Sequence, residues 1–447
     1  MASVGVVDAP TDPPPTAPEP VDPQALIRGR LTPPGPTDRL LGWVGPLSVT
    51  LLAAFLRFWD LGKPKIFVFD ETYYAKDAYG LLTFGYERDF VPKADEKILD
   101  GNFDVFTNDP SYVVHPPLGK WVIGLGEQFF GLNPFGWRVA VAVLGTLSVL
   151  LVARIVRRMA RSTLIGTIAG LLLAIDGLHL VMSRTALLDL PLSFFLLAAF
   201  GALILDRAHG RRRAAERLDD FSVSGTGPGL GFRPWRLAVG VLLGCALGTK
   251  WNALYFIAAF GVLTVAWDIS ARRVAGARSP WLGMLRHDAL PAFVSIVPTA
   301  IVTYLVTWTG WFITSDGYYR KWGAENPPGH LRFLPDWLAG VVPDALRSLW
   351  HYHVQAFNFH SDLTSNHPYQ SHPGGWLILA RPVSFYYEEY TRGELGCQVD
   401  KCSREIVALG NPVIWWSSVA ALLIMIWLVV SRRDWRAGAI LMAVAAG

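Results

Sequence analysis

Apolar residues in this chain gather into long unbroken runs, separated by short basic connections or by long acidic ones. Runs long enough to cross a bilayer, about 17–25 residues, fall at roughly 41–60, 136–156, 163–182, 186–206, 235–251, 253–270, 289–313 and 411–430, and each predicts a membrane-spanning helix. A ninth run begins at 437 and reaches the last residue, which reads as a chain cut short. The stretch 118–132 is shorter and predicts a re-entrant or interfacial helix.

The polar connections orient these runs. Arg154, Arg157, Arg158 and Arg161 follow the second, and Arg207, Arg211, Arg212, Arg213 and Arg217 follow the fourth. Arg272 and Arg273 follow the sixth, and Arg432, Arg433 and Arg436 the eighth. Basic residues at every second connection place those loops in the cytoplasm, together with the N-terminus. Residues 1–40 hold ten Pro among scattered acids, a composition that cannot bury a core, and predict a disordered cytoplasmic tail ahead of a membrane domain over 41–447. The first apolar run starts too late for a secretory signal and no cleavage site follows it, so it reads as a retained span. Two long loops, about 61–135 and 314–410, then lie outside the cytoplasm. From Asp60 to the end of the first, twelve acids face seven bases.

Composition sharpens this picture. Of 447 residues, 52% are hydrophobic and only 17% charged, with 42 Gly and 18 Trp. Soluble domains carry about 25% charged residues, so a soluble globule, a disordered chain and a disulfide scaffold are excluded. The net charge of +4 follows the membrane sides rather than one face and does not indicate nucleic acid. Of the three Cys, Cys245 sits in an apolar run, whereas Cys397 and Cys402 share a polar loop, where a disulfide and two free thiols both stay open.

No P-loop, dinucleotide fingerprint or zinc spacing occurs. The residues that carry chemistry cluster at the outer ends of the runs. Asp70 and Glu71 stand together between Phe67-Val68-Phe69 and Thr72-Tyr73-Tyr74. A carboxylate partly desolvated at an interface gains basicity; the same pair also fits an acidic turn facing water. In His115-Pro116-Pro117-Leu118-Gly119-Lys120, the prolines set an extended approach and His115 and Lys120 can meet one anion, although a Pro-rich turn with a snorkelling Lys reads equally well. Charges at span ends are costly unless paired or functional: Arg138, Asp176, Arg184, Asp189 and Lys250 all fall on the side of Asp70. Arg184 and Asp189 alone fit an internal ion pair; together with the rest they suggest a site for a lipid-borne phosphate. His351, His353, His360, His367 and His372 lie among aromatics, without the Cys or carboxylate company of a zinc site, and read better as an amphipathic platform than as a metal centre.

Asp70-Glu71, His115 to Lys120, Ser183-Arg184 with Leu187-Leu188-Asp189, and Gly410-Asn411-Pro412-Val413-Ile414-Trp415-Trp416 resemble the protein O-mannosyltransferases, in particular the actinobacterial branch of the polyprenol-phosphate-mannose-dependent family. The resemblance covers nearly everything from residue 41 onward. It implies an all-α polytopic membrane protein, a GT-C-type multi-span bundle with two large extracytoplasmic loops. The loop 314–410 is too short for the β-trefoil of eukaryotic relatives. The implied reaction moves mannose from a polyprenyl phosphate mannose lipid to Ser/Thr hydroxyls of exported polypeptides in the plasma membrane, with inversion. It assigns Asp70 as base, Glu71 as its helper, Arg138 as the main phosphate partner, and His115 and Lys120 as supports. Arg184, Asp189 and Lys250 become pocket walls. It implies no cofactor, leaving a divalent cation open, and no metal site. Membrane lipids are implied partners, and secretion machinery is a further one. Two other readings stay open: a lipid-phosphosugar transferase acting on a cell-envelope glycan or lipid, and a non-enzymatic transporter or scaffold. Against the latter, the charges sit at span ends and no inverted halves are visible.

Overall fold

A computed structural model describes residues 22–223, 225–326, 340–364 and 370–447. Residues 1–21 of the tail, and His367, Pro368 and Tyr369 of the His-rich loop, lie outside the described residues. All nine apolar runs are helical, but not all are full spans. Six helices are long and apolar enough to cross a membrane: Leu41–Phe58, Pro134–Ala160, Asp189–Glu216, Ala253–Val274, Pro280–Thr307 and Pro412–Arg432. Thr163–Ala174, Pro234–Leu247 and Trp435–Ala446 are apolar but shorter.

Local chemistry explains the altered bounds. The third run breaks because the Asp176 side chain accepts from the His179 amide at 3.0 Å and caps a separate short helix, Gly177–Met182. The seventh starts earlier than its apolar run, at Pro280, and passes through a π-helical turn at Leu285–Ala289. Pro134–Ala160 begins where Asn133 accepts from the amides of Phe135 and Gly136, with Pro134 in the first turn, where its missing N–H costs nothing.

Leu203, Leu243, Ala246 and Phe260 anchor the largest buried cluster, between helices Asp189–Glu216, Pro234–Leu247 and Ala253–Val274. Close approach, not bulk, holds Pro234–Leu247 against Leu290–Thr307: a Cβ on Gly244 would stand 2.6 Å from the Ala300 carbonyl oxygen. At the end of the bundle where the arginine-rich connections lie, burial is ionic. Arg233 donates to Asp206 at 2.8 Å and to Asp268 at 3.2 Å, and Arg272 meets both oxygens of Asp288 at 2.6 and 2.9 Å.

The opposite end carries the two long connections. The first contains helices Glu71–Phe84, Ala94–Leu99 and Leu118–Phe130 and a ribbon of Arg88–Phe90 with Phe106–Pro110. The second contributes helix Asp344–Asp362 and an antiparallel hairpin, Val383–Thr391 with Lys401–Ala408, tied by a Cys397–Cys402 disulfide. The fold is thus mostly helical, with two short ribbons confined to this end. Since Pro134–Ala160 is 27 residues long, the two ends are separated by about 40 Å.

Candidate active site

The first long connection turns back on itself before helix Glu71–Phe84, with Phe69 in the left-handed region at φ 53°. That reversal sends adjacent carboxylates in different directions. Glu71 points inward and is fully buried. Its Oε1 accepts from Arg138 Nε at 2.8 Å and from the Ala186 amide at 2.9 Å; its Oε2 accepts from Arg138 Nη2 at 2.7 Å and from the Val68 amide at 2.9 Å. Arg138, 1% exposed, also donates to the carbonyls of Leu61 (3.3 Å), Pro64 (3.0 Å) and Ile66 (2.9 Å). All five guanidinium N–H groups are therefore bonded within the protein. The pair laces residues 61–71, helix Pro134–Ala160 and the turn at 183–189 into one unit. The role of main phosphate partner expected of Arg138 meets a guanidinium whose N–H groups are all filled by protein acceptors. Glu71 likewise has both oxygens filled by protein donors.

Asp70 remains half-buried at the start of the helix and accepts no amide as a cap. Tyr74 lies one turn on, its amide bonded to the Asp70 carbonyl at 3.1 Å. Burial, with the charges of Asp70, Asp189 and Asp77, raises the Tyr74 hydroxyl above its usual pKa, so it stays protonated. On the far side, Asp189 does not pair with Arg184. Its Oδ1 accepts from Lys250 Nζ at 2.9 Å, in a pair 45% and 22% exposed, so both keep access to the cleft. Arg184 instead donates to the carbonyls of Leu56 (2.8 Å), Arg57 (3.1 Å) and Asp60 (3.4 Å), tying down the end of the first long helix.

His115 forms the floor. Its ring lies 6.4 Å from Tyr74 and 5.4 Å from His360, nearly parallel to the latter. Burial and then the charges of Lys250 and Lys120 push its pKa down to about 3, so the imidazole is neutral. Lys120, 1% exposed, pairs with Glu87 and donates to the His115 carbonyl at 3.3 Å. It lies beneath the His115 loop, bonded to its backbone. Asp77, two turns beyond Asp70, belongs to the same lower layer; burial lifts its carboxyl to about 7, with Lys120 opposing and Glu87 adding to the rise.

Helix Asp344–Asp362 closes the site from above. The Tyr352 hydroxyl donates to the Val113 carbonyl at 2.6 Å and accepts the Val113 amide at 3.1 Å. His353 is hydrogen-bonded to the Tyr304 hydroxyl and stacks on Trp251 at 5.5 Å. At the rim, Phe385 of the disulfide-tied hairpin stacks on Phe69 at 4.6 Å, beside Asp70. Among the described residues no group of three His, Cys, Asp or Glu is arranged to hold a metal ion.

The structure therefore brings Asp70, His115, Asp189 and Lys250 to one cleft, and sets Glu71, Arg138, Lys120 and Arg184 as its framework. Tyr74, His360 and Trp251 complete it. The residues themselves were in plain view, but their signal is weak: Tyr74 continues the face of Asp70 by one turn, and His360 is one of several His in an aromatic stretch.

Known proteins resemble much of the chain. The family model described as dolichyl-phosphate-mannose-protein mannosyltransferase matches residues 47–297, and that of the C-terminal four-transmembrane region of protein O-mannosyltransferase matches 345–442. The polyprenol-phosphate-mannose–protein mannosyltransferase of Mycobacterium tuberculosis H37Rv is 40% identical over 424 residues, 92% of this chain and 76% of the relative. The protein of the same description from Corynebacterium glutamicum is 35% identical over 380 residues, 82% of this chain and 68% of the relative. Among solved structures, the S. cerevisiae protein O-mannosyltransferase Pmt1-Pmt2 complex bound to the sugar donor aligns with 67% of this chain and 37% of its own, at 19% identity and a TM-score of 0.47.

Proposed function

The chain belongs to the dolichyl-phosphate-mannose-protein mannosyltransferase family, and from that premise we propose that it transfers mannose from a polyprenyl phosphate mannose to Ser/Thr hydroxyls of exported polypeptides. The observation that carries the site assignment is the divergence of the two adjacent carboxylates: Glu71 is buried and locked to Arg138, while Asp70 stays half-buried on the side of Tyr74.

The reaction in this reading is one inverting displacement. Asp70 takes the proton of the acceptor hydroxyl as its oxygen attacks the anomeric carbon. The bond from that carbon to the phosphate oxygen breaks on the opposite face, and the polyprenyl phosphate departs with the bonding electrons. Phosphate leaves readily once its growing charge is met, so a cation rather than a second carboxylic acid is needed. Lys250, partly exposed and held in place by Asp189, supplies that cation. Neutral His115 and His360 wall the pyranose, since uncharged imidazoles offer hydrogen bonds and a flat apolar face without competing for the phosphate. Glu71, Arg138, Lys120 and Arg184 position these groups.

The arginine-rich connections support a cytoplasmic N-terminus and an extracytoplasmic site. They also support a domain division into a tail over 1–40 and a membrane domain over 41–447. An acceptor threading out of the membrane unfolded makes the secretion machinery a natural neighbour. Membranes holding the full chain, given labelled polyprenyl phosphate mannose and a Ser/Thr-rich peptide, test the assignment. Label is expected on peptide with the wild type and not with Asp70→Asn. Undiminished transfer by Asp70→Asn removes the base assignment, and label on lipid or glycan alone moves the acceptor.

A further inference from the structure

At the arginine-rich end, roughly 20–30 Å along Pro134–Ala160 from Arg138, a cavity of about 930 Å³ opens between helices Pro134–Ala160, Asp189–Glu216 and Pro234–Leu247. Its inner wall is apolar, formed by residues such as Leu151, Ile155, Leu205 and Leu242, with Trp235 and Trp435 at its edge. Its polar lining is one-signed: eight arginines and neither Asp nor Glu.

Three of those arginines are already engaged. Arg157 pairs with Asp38 at 2.9 Å, Arg154 covers the Trp43 ring at 3.8 Å, and Arg211 donates to the carbonyls of Arg30 and Leu31 at 2.7 and 3.1 Å. The others have no carboxylate partner. Among the described residues, Arg30, Arg158, Arg161, Arg207 and Arg212 form no ion pair. Arg207 lies 3.5 Å over the Trp435 ring, and the carboxylate beyond it, Asp434, is taken by Arg436 at 2.5 Å. Arg158, Arg161 and Arg212 stand exposed at the mouth. The buried arginines packed deeper at this end, Arg233, Arg236 and Arg272, are neutralised by Asp206, Asp268 and Asp288. A cavity with an apolar inner wall and like charges crowded around it, with no carboxylate in its lining, suits an anion that arrives from outside.

We propose that this cavity binds the phosphate headgroup of an anionic membrane lipid. The guanidinium forks of Arg158, Arg207 and Arg212 take the phosphate oxygens, and the apolar wall takes the first part of an acyl chain. The combination decides for a lipid over a soluble phosphate: a free anion has no use for the apolar wall, and a neutral lipid has none for the arginines. Indole rings at the edge match the depth of a headgroup region, and basic pockets between membrane helices are suited to such headgroups. The site is separate from the cleft at Asp70 and independent of the sugar-transfer reading. Occupancy stitches three helices together at the end farthest from the cleft, so the lipid acts as a structural ligand of the bundle.

The test uses the full chain, purified in neutral detergent and titrated by native mass spectrometry with dioleoylphosphatidylglycerol, dioleoylphosphatidylcholine and inorganic phosphate. Phosphatidylglycerol is expected to bind at least tenfold tighter than either alternative. The Arg158→Ala/Arg212→Ala pair is expected to lose tenfold or more of that affinity. Arg273→Ala/Arg278→Ala, which removes equal charge from exposed positions outside the cavity, is expected to stay within twofold of wild type, and Arg158→Lys/Arg212→Lys within threefold. Equal binding by the cavity and control pairs overturns the proposal, as does phosphatidylcholine binding as tightly as phosphatidylglycerol. Inorganic phosphate binding as tightly as the lipid also overturns it. A lysine pair as weak as the alanine pair, despite its retained charge, does so too.

Discussion

Glu71 and Arg138 meet through two parallel hydrogen bonds, Nε to Oε1 at 2.8 Å and Nη2 to Oε2 at 2.7 Å, and both side chains are sealed from solvent. Removing one partner of such a pair leaves an uncompensated buried charge, at a cost of about 3–5 kcal/mol. Glu71→Gln is thus expected to lower thermal stability markedly, and Arg138→Lys nearly as much, because an ammonium cannot replace a fork that also reaches three carbonyls. Thermal unfolding in detergent alongside donor binding separates the roles. If Glu71→Gln leaves the melting temperature unchanged while donor affinity collapses, the pair contacts the donor after all.

Lys250 holds the opposite position, a cation paired with a carboxylate but still open to the cleft. Loss of one group that stabilises developing charge costs about 10²–10³ in turnover. Lys250→Met is expected to fall in that range, with Lys250→Arg recovering part of it and the melting temperature little moved. Steady-state transfer measured over a range of donor concentrations checks this. A change confined to KM would assign Lys250 to ground-state binding instead.

The spans were legible from the apolar runs, and the cluster of charges at their outer ends was legible as a cluster. What a charge does there was not. Arg138 and Lys250 look alike in the sequence, each a lone cation at a span end, yet one is filled by Glu71 and three carbonyls and the other keeps a face free. That difference depends on a chain reversal at Phe69 and on contacts more than sixty residues away. Asp77 and Glu87 were visible only as members of an acidic loop, since their burial follows from the packing of helix Leu118–Phe130 and its Lys120. The break of the third run at Asp176 was hidden because a capping carboxylate and a span-terminating one occupy the same sequence position.

Tyr352 joins the upper helix to the His115 loop through both the amide and the carbonyl of Val113. Tyr352→Phe strands two backbone groups and is expected to destabilise by about 1–3 kcal/mol. Because His360 rides on the same helix and stacks on His115, the change also loosens the wall of the sugar site. A several-fold rise in KM for the donor is expected, larger than any fall in kcat. Transfer kinetics with unaltered KM would detach helix Asp344–Asp362 from donor recognition.

Two buried groups at the site oppose each other in pH. Burial raises the Asp77 carboxyl from 3.8 to about 7, so the folded state holds that proton more tightly than the unfolded chain. Its contribution to stability is complete below about pH 4 and is lost as pH rises through 7. His115 runs the other way: burial and nearby lysines lower it from 6.5 to about 3, so the unfolded chain takes up the proton first. Its contribution is complete above about pH 6.5 and is lost as pH falls toward 3. Each contribution amounts to at most about 4–5 kcal/mol, and across pH 4 to 6.5 the two slopes offset each other. These two groups together are therefore expected to add little pH dependence to the melting temperature over that window. Asp77→Asn should leave the His115 slope exposed, with stability climbing as pH rises, and His115→Gln should leave the Asp77 slope, with stability declining. Melting curves at half-unit steps distinguish these outcomes; two variants with the same sign of slope would mean that at least one of these groups does not titrate as its surroundings dictate.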